Sequence, residues 1–165
     1  MPENPETPSI GKPAPKFKLP ASNGQTISLA DYKDTQTVVL YFYPRADTPG
    51  CTVEACAFRD AIKGFTKAGV AILGISPDPV KAVTKFAEKF DLTFPLLADE
   101  DHAITEQYGQ WREKSMYGKK YMGAMRTTFI IGKNGRILHI FEKVKPEGHD
   151  QQVMDWIAEN VDSSR

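Results

Sequence analysis

The chain has 165 residues, 41% of them hydrophobic and 25% charged, with 21 basic side chains balanced by 21 acidic ones. That is the size and composition of one packed domain, and a formal net charge of zero argues against a broad electrostatic partner such as nucleic acid or an anionic membrane. The longest apolar run, around Val38 to Tyr43, is far too short to span a bilayer.

Segment 1–13 carries Pro2, Pro5, Pro8 and Pro13, and is expected to be flexible, with a single domain over 14–165. Met1 to Lys12 has no apolar h-region and does not read as a secretory or transit signal. The expected location is the cytoplasm, where free thiols stay reduced unless they are catalytic. Two cysteines five positions apart are too few for a disulfide framework.

In chain order, Phe17-Lys18-Leu19 and Thr26-Ile27-Ser28-Leu29 flank the turn Asn23-Gly24 and predict an N-terminal β-hairpin. Ser28 or Asp31 can start a helical turn. Thr37 to Tyr43 is β-branched and aromatic on both faces, as in the middle strand of a sheet. Thr48 then suits an N-cap and Pro49 the first helical position. Cys51, Ala55, Phe58, Ile62 and Phe65 share one helical face, with Cys51 expected at its exposed end and Gly69 closing the unit.

Val70 to Ser76 reads as a second buried strand. Pro79 opens a helix with Val80, Val83, Phe86, Ala87 and Phe90 on one side. A short strand is expected at Phe94 to Leu97, and a helix capped by Asp99 running to about Tyr108. Residues 109–125 show no clear period and read as a surface loop anchored by Trp111, Tyr117 and Tyr121. Thr127 to Ile131 and Arg136 to Phe141 form strands around the Asn134-Gly135 turn. A last helix places Val153, Trp156, Ile157 and Val161 on one face. This alternation predicts an α/β domain with a central sheet.

The chemistry gathers at Cys51, where a strand gives way to a helix. A free thiol titrates near ~8.5 and is a weak nucleophile until it ionises, and a helix N-terminus favours the thiolate. Gly50 removes a side chain beside it and leaves room for a small substrate. Thr48 offers a hydroxyl to an oxygen ligand or a backbone group. Cys56 lies five positions on, which is not the Cys-x-x-Cys spacing of a dithiol exchange site. Along a helix that spacing gives a rise of about 7.5 Å, and Cα atoms roughly 8–9 Å apart are beyond disulfide reach. A Cys51–Cys56 bond therefore requires the first helical turns to unwind; the bland alternative is that Cys56 is a bystander. By residue type alone, Arg126 is a surface cation at a strand start.

The run Pro44-x-x-x-Thr48-x-x-Cys51, continuing Thr52-Val53-Glu54-Ala55-Cys56-x-Phe58-Arg59-Asp60, resembles the active-site signature of the peroxiredoxins. The second cysteine five positions on resembles the bacterioferritin-comigratory-protein, or peroxiredoxin Q, branch. The likeness extends from Gly11-Lys12-Pro13-Ala14-Pro15 through Gly123-x-x-Arg126-Thr127-Thr128-Phe129 to Val144-Lys145-Pro146-x-Gly148-His149. It implies a thioredoxin-like fold, a central mixed sheet flanked by helices, and thiol-dependent peroxide reduction. By position it makes Cys51 the peroxidatic cysteine and Cys56 the resolving one. Thr48 would hydrogen-bond the peroxide, Pro44 would shield the site from water, Arg126 would stabilise the thiolate, and Glu54 would orient the arginine. The resemblance further implies a thioredoxin- or glutaredoxin-type reductant, no metal, haem or flavin, and a monomer with at most a weak dimer.

Two other readings stay open. A redox sensor or interaction module would use Cys51 oxidation to change partner binding. A disulfide oxidoreductase is weakened by the missing Cys-x-x-Cys. Asp99-Glu100-Asp101-His102 is read as a helix start rather than a metal site, because contiguous ligands rarely converge. Lys119-Lys120 is read as a solvated loop. His139 is expected to face solvent, and His102 and His149 have no evident partner.

Overall fold

A computed structural model describes residues 7–161. Its centre is a five-stranded mixed sheet. In spatial order the strands are β5 (Leu96–Ala98), β4 (Val70–Ser76), β3 (Thr37–Phe42), β8 (Thr127–Ile131) and β9 (Ile137–Phe141). The middle strand β3 pairs in parallel with β4 and antiparallel with β8. All six residues of β3 are buried, as an apolar run on both faces requires. Val39 and Tyr41 join one hydrophobic cluster, with helices α1 (Pro49–Lys67), α2 (Val80–Lys89) and α4 (His149–Asn160) supplying its cover. Val38, Leu40 and Phe42 join the other, closed by the N-terminal hairpin of β1 (Lys18–Pro20) and β2 (Thr26–Ser28) and by α3 (Ala103–Gln107). The alternation of one strand thus commits both layers.

The thioredoxin-like, mixed α/β expectation holds, and most elements fall where local signals put them. Ser28 starts a short 3-10 turn over Leu29–Tyr32, and Asp31 accepts from the Ser28 N–H at 2.9 Å. β5 begins later than expected because Pro95 has no N–H for the ladder. α3 also begins later than Asp99. His102 takes a left-handed backbone at its N-cap, and the buried Asp99 carboxylate reaches across to accept from the Ile104 and Thr105 N–H groups and the Thr105 hydroxyl. That carboxylate is therefore a helix anchor.

The larger correction concerns residues 109–125, which are not a loop. β6 (Trp111–Met116) and β7 (Lys119–Ala124) form an antiparallel hairpin. Tyr117 and Gly118 both have positive φ, the two-residue turn that suits the twist of a hairpin. The ribbon is largely solvated, with Tyr117 97% exposed, so it carries no apolar alternation to read. Beyond it, β8 turns at Asn134-Gly135 into β9, as expected.

Of the N-terminal segment expected to be flexible, residues 1–6 lie outside the described residues. Gly11 donates to the Ile137 carbonyl at 2.7 Å, Ile137 donates back to Lys12 at 2.9 Å, and Ala14 donates to Gly135 at 2.9 Å. No described helix is long and apolar enough to cross a membrane.

Candidate active site

β3 ends at Phe42, and α1 begins at Pro49 after a six-residue connection that carries Pro44 and Thr48. Asp78, just after β4, holds this connection: one carboxylate oxygen accepts from the Ala46 N–H and from the Ser76 hydroxyl, both at 2.8 Å. Lys89 at the end of α2 pairs with Asp47 at 3.0 Å. Thr48 is the N-cap residue, as expected, but its hydroxyl donates to the Arg45 carbonyl at 2.9 Å and accepts no capping bond from a helix N–H. Its own carbonyl accepts from the Thr52 N–H at 2.8 Å, so α1 starts in register.

Cys51 therefore stands in the first turn of a 19-residue helix. Its thiol is not at an exposed end: the residue is 1% exposed and packs in the cluster with Tyr43, Ala55 and Phe58. Arg126, on the residue before β8, reaches it from the adjacent strand. One guanidinium nitrogen, Nη2, donates to Cys51 Sγ at 3.3 Å, and the other, Nη1, donates to Glu54 Oε1 at 2.7 Å. The planar fork is thus shared between the thiol and a carboxylate one helical turn away. What looked by residue type like a surface cation is the centre of the site, because β3 and β8 are neighbours.

Burial dominates the electrostatics. It pushes the Glu54 carboxyl up to about 7, against the pull of Arg126. Desolvation also opposes the Arg126 charge, but Cys51 and Glu54 outweigh it and raise its pKa further. Burial likewise raises the Tyr41 and Tyr43 phenols behind the site, so both rings stay neutral.

Gly50 fits tightly. A Cβ there would lie 3.2 Å from Arg126 Nη2 and 3.3 Å from Pro146 Cγ, so a side chain would push both back by a few tenths of an ångström. Val144 donates to the Arg126 carbonyl at 3.1 Å, which ties the segment bearing Pro146 to the same arginine. Cys56 is partly buried in the second turn of α1, and both cysteines are free thiols. The structure thus brings Cys51, Arg126, Glu54 and Gly50 together, with Thr48 and Pro44 on the connection that leads into them.

Three residues around the site gave no usable sequence signal. Asp78 shapes the connection. Lys114, half-buried on β6, lays its stem across Gly123, where a Cβ would meet its Cδ at 3.3 Å. Desolvation and Arg126 lower its pKa, while Cys51 raises it, so it shares the field of the site. His149, fully buried at the start of α4, has two partners: Nε2 lies 2.7 Å from the Thr128 hydroxyl and Nδ1 2.9 Å from Gln152 Oε1. A glutamine oxygen only accepts, so Nδ1 carries the proton and Nε2 accepts from Thr128. His139 stacks on Trp156, and His102 stacks on Trp111 and meets Glu106 at 2.6 Å.

The AhpC/TSA family profile matches residues 10–140. The chain belongs to the AhpC/TSA family. Within it, the chain is 47% identical to peroxiredoxin Bcp of Escherichia coli (strain K12) over 151 residues, covering 92% of this chain and 96% of that one. Peroxiredoxin Bcp of Bacillus subtilis (strain 168) is 42% identical over 150 residues, covering 91% and 95%. The crystal structure of a cysteine-to-serine mutant of Xylella fastidiosa PrxQ superposes with a TM-score of 0.87 at 32% identity, covering 93% and 98%. The Xanthomonas campestris bacterioferritin comigratory protein, studied for its alkyl peroxide reduction activity in trapped intermediate/ligand complexes, gives a TM-score of 0.83 at 35% identity, covering 88% and 92%. This AhpC/TSA chain is accordingly a peroxiredoxin of the Bcp and peroxiredoxin Q branch.

Proposed function

We propose that the protein reduces hydrogen peroxide and organic hydroperoxides with Cys51 as nucleophile and Cys56 as resolving thiol. The observation that carries this is the Arg126 fork, which donates to Cys51 Sγ and to buried Glu54 at the start of α1. The guanidinium donates to sulfur at 3.3 Å, so the nucleophilic atom is held beside a fixed positive charge. The same donors, with the Thr48 hydroxyl turned from the Arg45 carbonyl to the substrate, would stabilise charge on the leaving oxygen. Pro44 would help keep water from the thiolate.

The Cys51 thiolate attacks one peroxide oxygen; the S–O bond forms, the O–O bond breaks, and water or an alcohol leaves after protonation. The first turns of α1 then unwind. Cys56 sulfur attacks Cys51 sulfur, the S–S bond forms and water departs. A thioredoxin- or glutaredoxin-type dithiol protein reduces the disulfide by exchange, which places the cycle in a reducing compartment such as the cytoplasm. The alkyl peroxide reduction studied in the Xanthomonas campestris relative supports the organic hydroperoxides, and a monomer suffices for every step.

Intact-mass analysis after one equivalent of hydrogen peroxide tests the scheme. Wild type should lose two hydrogens, Cys56→Ser should gain one oxygen, and Cys51→Ser should do neither. Unchanged peroxide turnover in Cys51→Ser would overturn it.

A further inference from the structure

We propose that Glu54 drives the opening step: the closed helix buries a carboxylate with one oxygen unbonded, and moving that carboxylate into water releases the first two turns so that Cys56 can reach Cys51. This rests on the reading above, in which Cys56 resolves a sulfenic acid.

Glu54 is 1% exposed, yet only Oε1 has a bond, the 2.7 Å contact from Arg126 Nη1. Oε2 is buried and has no hydrogen-bond partner among the described residues. A carboxylate in such a place is costly, whereas the neutral acid is a much smaller burden. The groups that face it give little relief. From β3 comes the neutral Tyr41, from the connection after it the neutral Tyr43, from α1 itself Cys51, and beyond Arg126 lie Lys114 on β6 and His149 on α4. Among the described residues Arg126 alone bonds the carboxyl, and it is shared with the thiol.

The opening also has a built-in stop. Phe58 is fully buried and stacks on Tyr41 with centroids 4.9 Å apart. Arg59 Nη1 donates to the Phe90 carbonyl, at the C-cap of α2, at 2.7 Å. The third turn is thus pinned on two sides, and the segment left to unwind is the one that holds Cys51, Glu54 and Cys56.

The sign follows from linkage. Closed, the carboxyl titrates at about 7; open, it returns to about 4.5. Protonation favours the closed helix fully below about 4.5, and that preference is lost as pH rises through about 7. Glu54 should therefore raise the opening constant roughly 40-fold between pH 5 and pH 7.

The test is hydrogen exchange on reduced full-length protein from pH 5 to pH 8, read on peptides covering residues 49–57 and corrected for intrinsic exchange. Glu54→Gln should flatten the pH dependence by roughly 70-fold over that range relative to wild type. Glu54→Asp keeps a titrating carboxyl and should retain it. Equal slopes in wild type and Glu54→Gln would overturn the proposal, as would a flat Glu54→Asp profile. Rapid-quench mass analysis after one equivalent of hydrogen peroxide adds the chemical readout: disulfide formation in Glu54→Gln should lose the same component. If wild type forms no Cys51–Cys56 disulfide while the exchange difference persists, Cys56 as resolving thiol fails and Glu54 as the driver of opening stands.

Discussion

Replacing Arg126 with methionine separates its two tasks. The guanidinium donates to Cys51 Sγ at 3.3 Å and to Glu54 Oε1 at 2.7 Å, and it is 16% exposed, so neither contact is well screened by water. Removing a preorganised donor from a site where charge develops costs about 3–4 kcal/mol, or about 100- to 1,000-fold in the chemical step. Loss of one partner also strands a buried carboxyl. Glu54 already titrates at about 7, and without its cation it moves higher still. A raised folded-state value adds stability below the unfolded value, and that stability is lost as pH rises through the folded one. Arg126→Met should therefore be close to wild type in stability at pH 5.5 and weaker by up to about 3 kcal/mol at pH 8. Stopped-flow oxidation of Cys51 by hydrogen peroxide measures the first effect, and urea unfolding at the two pH values measures the second. Arg126→Lys should fall between, since an ammonium is a point charge and cannot span both partners as a fork. Oxidation of Cys51 in Arg126→Met within about threefold of wild type would refute the electrostatic argument from which that magnitude comes.

Gly50→Ala places a Cβ 3.2 Å from Arg126 Nη2 and 3.3 Å from Pro146 Cγ, so both neighbours must give by a few tenths of an ångström. Peroxide oxidation should fall by about tenfold while the thermal midpoint moves little, since misplacement acts on rate and alanine favours the helix; a rate equal to wild type would show that the fork tolerates the shift. His149 is held neutral by burial, which lowers its pKa, so its contribution is present above the ordinary imidazole value and is lost as pH falls through its folded-state value. Calorimetry of His149→Gln should show a deficit of about 1–3 kcal/mol at pH 7.5 that narrows by pH 5; a deficit independent of pH would place the residue's role in packing alone.

Local signals wrote most of the fold. The apolar run of β3, the Thr48-Pro49 helix start and the Asn134-Gly135 turn each act over a few residues, and each lies where its chemistry put it. The β6–β7 hairpin escaped because a solvated ribbon has no buried face and so no apolar period; its one signal was Tyr117-Gly118, a weaker turn pair than Asn-Gly. Asp99 reads as the cap of α3, but the N-cap is His102, and the Asp99 carboxylate acts from three residues earlier, across a left-handed residue. His149 and Thr128 are 21 residues apart, and no spacing rule joins them.

The same division runs through the candidate site. Read as a string of residues, the chain already shows that one thiol opens a helix and that a second, five residues on, cannot bond to it while the helix is intact, because rise and rotation per residue are local properties. The family likeness also implies that Arg126 stabilises the thiol and that Glu54 orients the arginine, but no spacing rule places them together. That contact exists only in the folded molecule. Pairing of β3 with β8 carries Arg126 across 75 residues to the thiol, and the packing of α1 on the sheet buries Glu54 beneath it with one oxygen unbonded. Burial and charge proximity depend on which elements become neighbours, and that is a property of the folded sheet that no single segment of the chain contains.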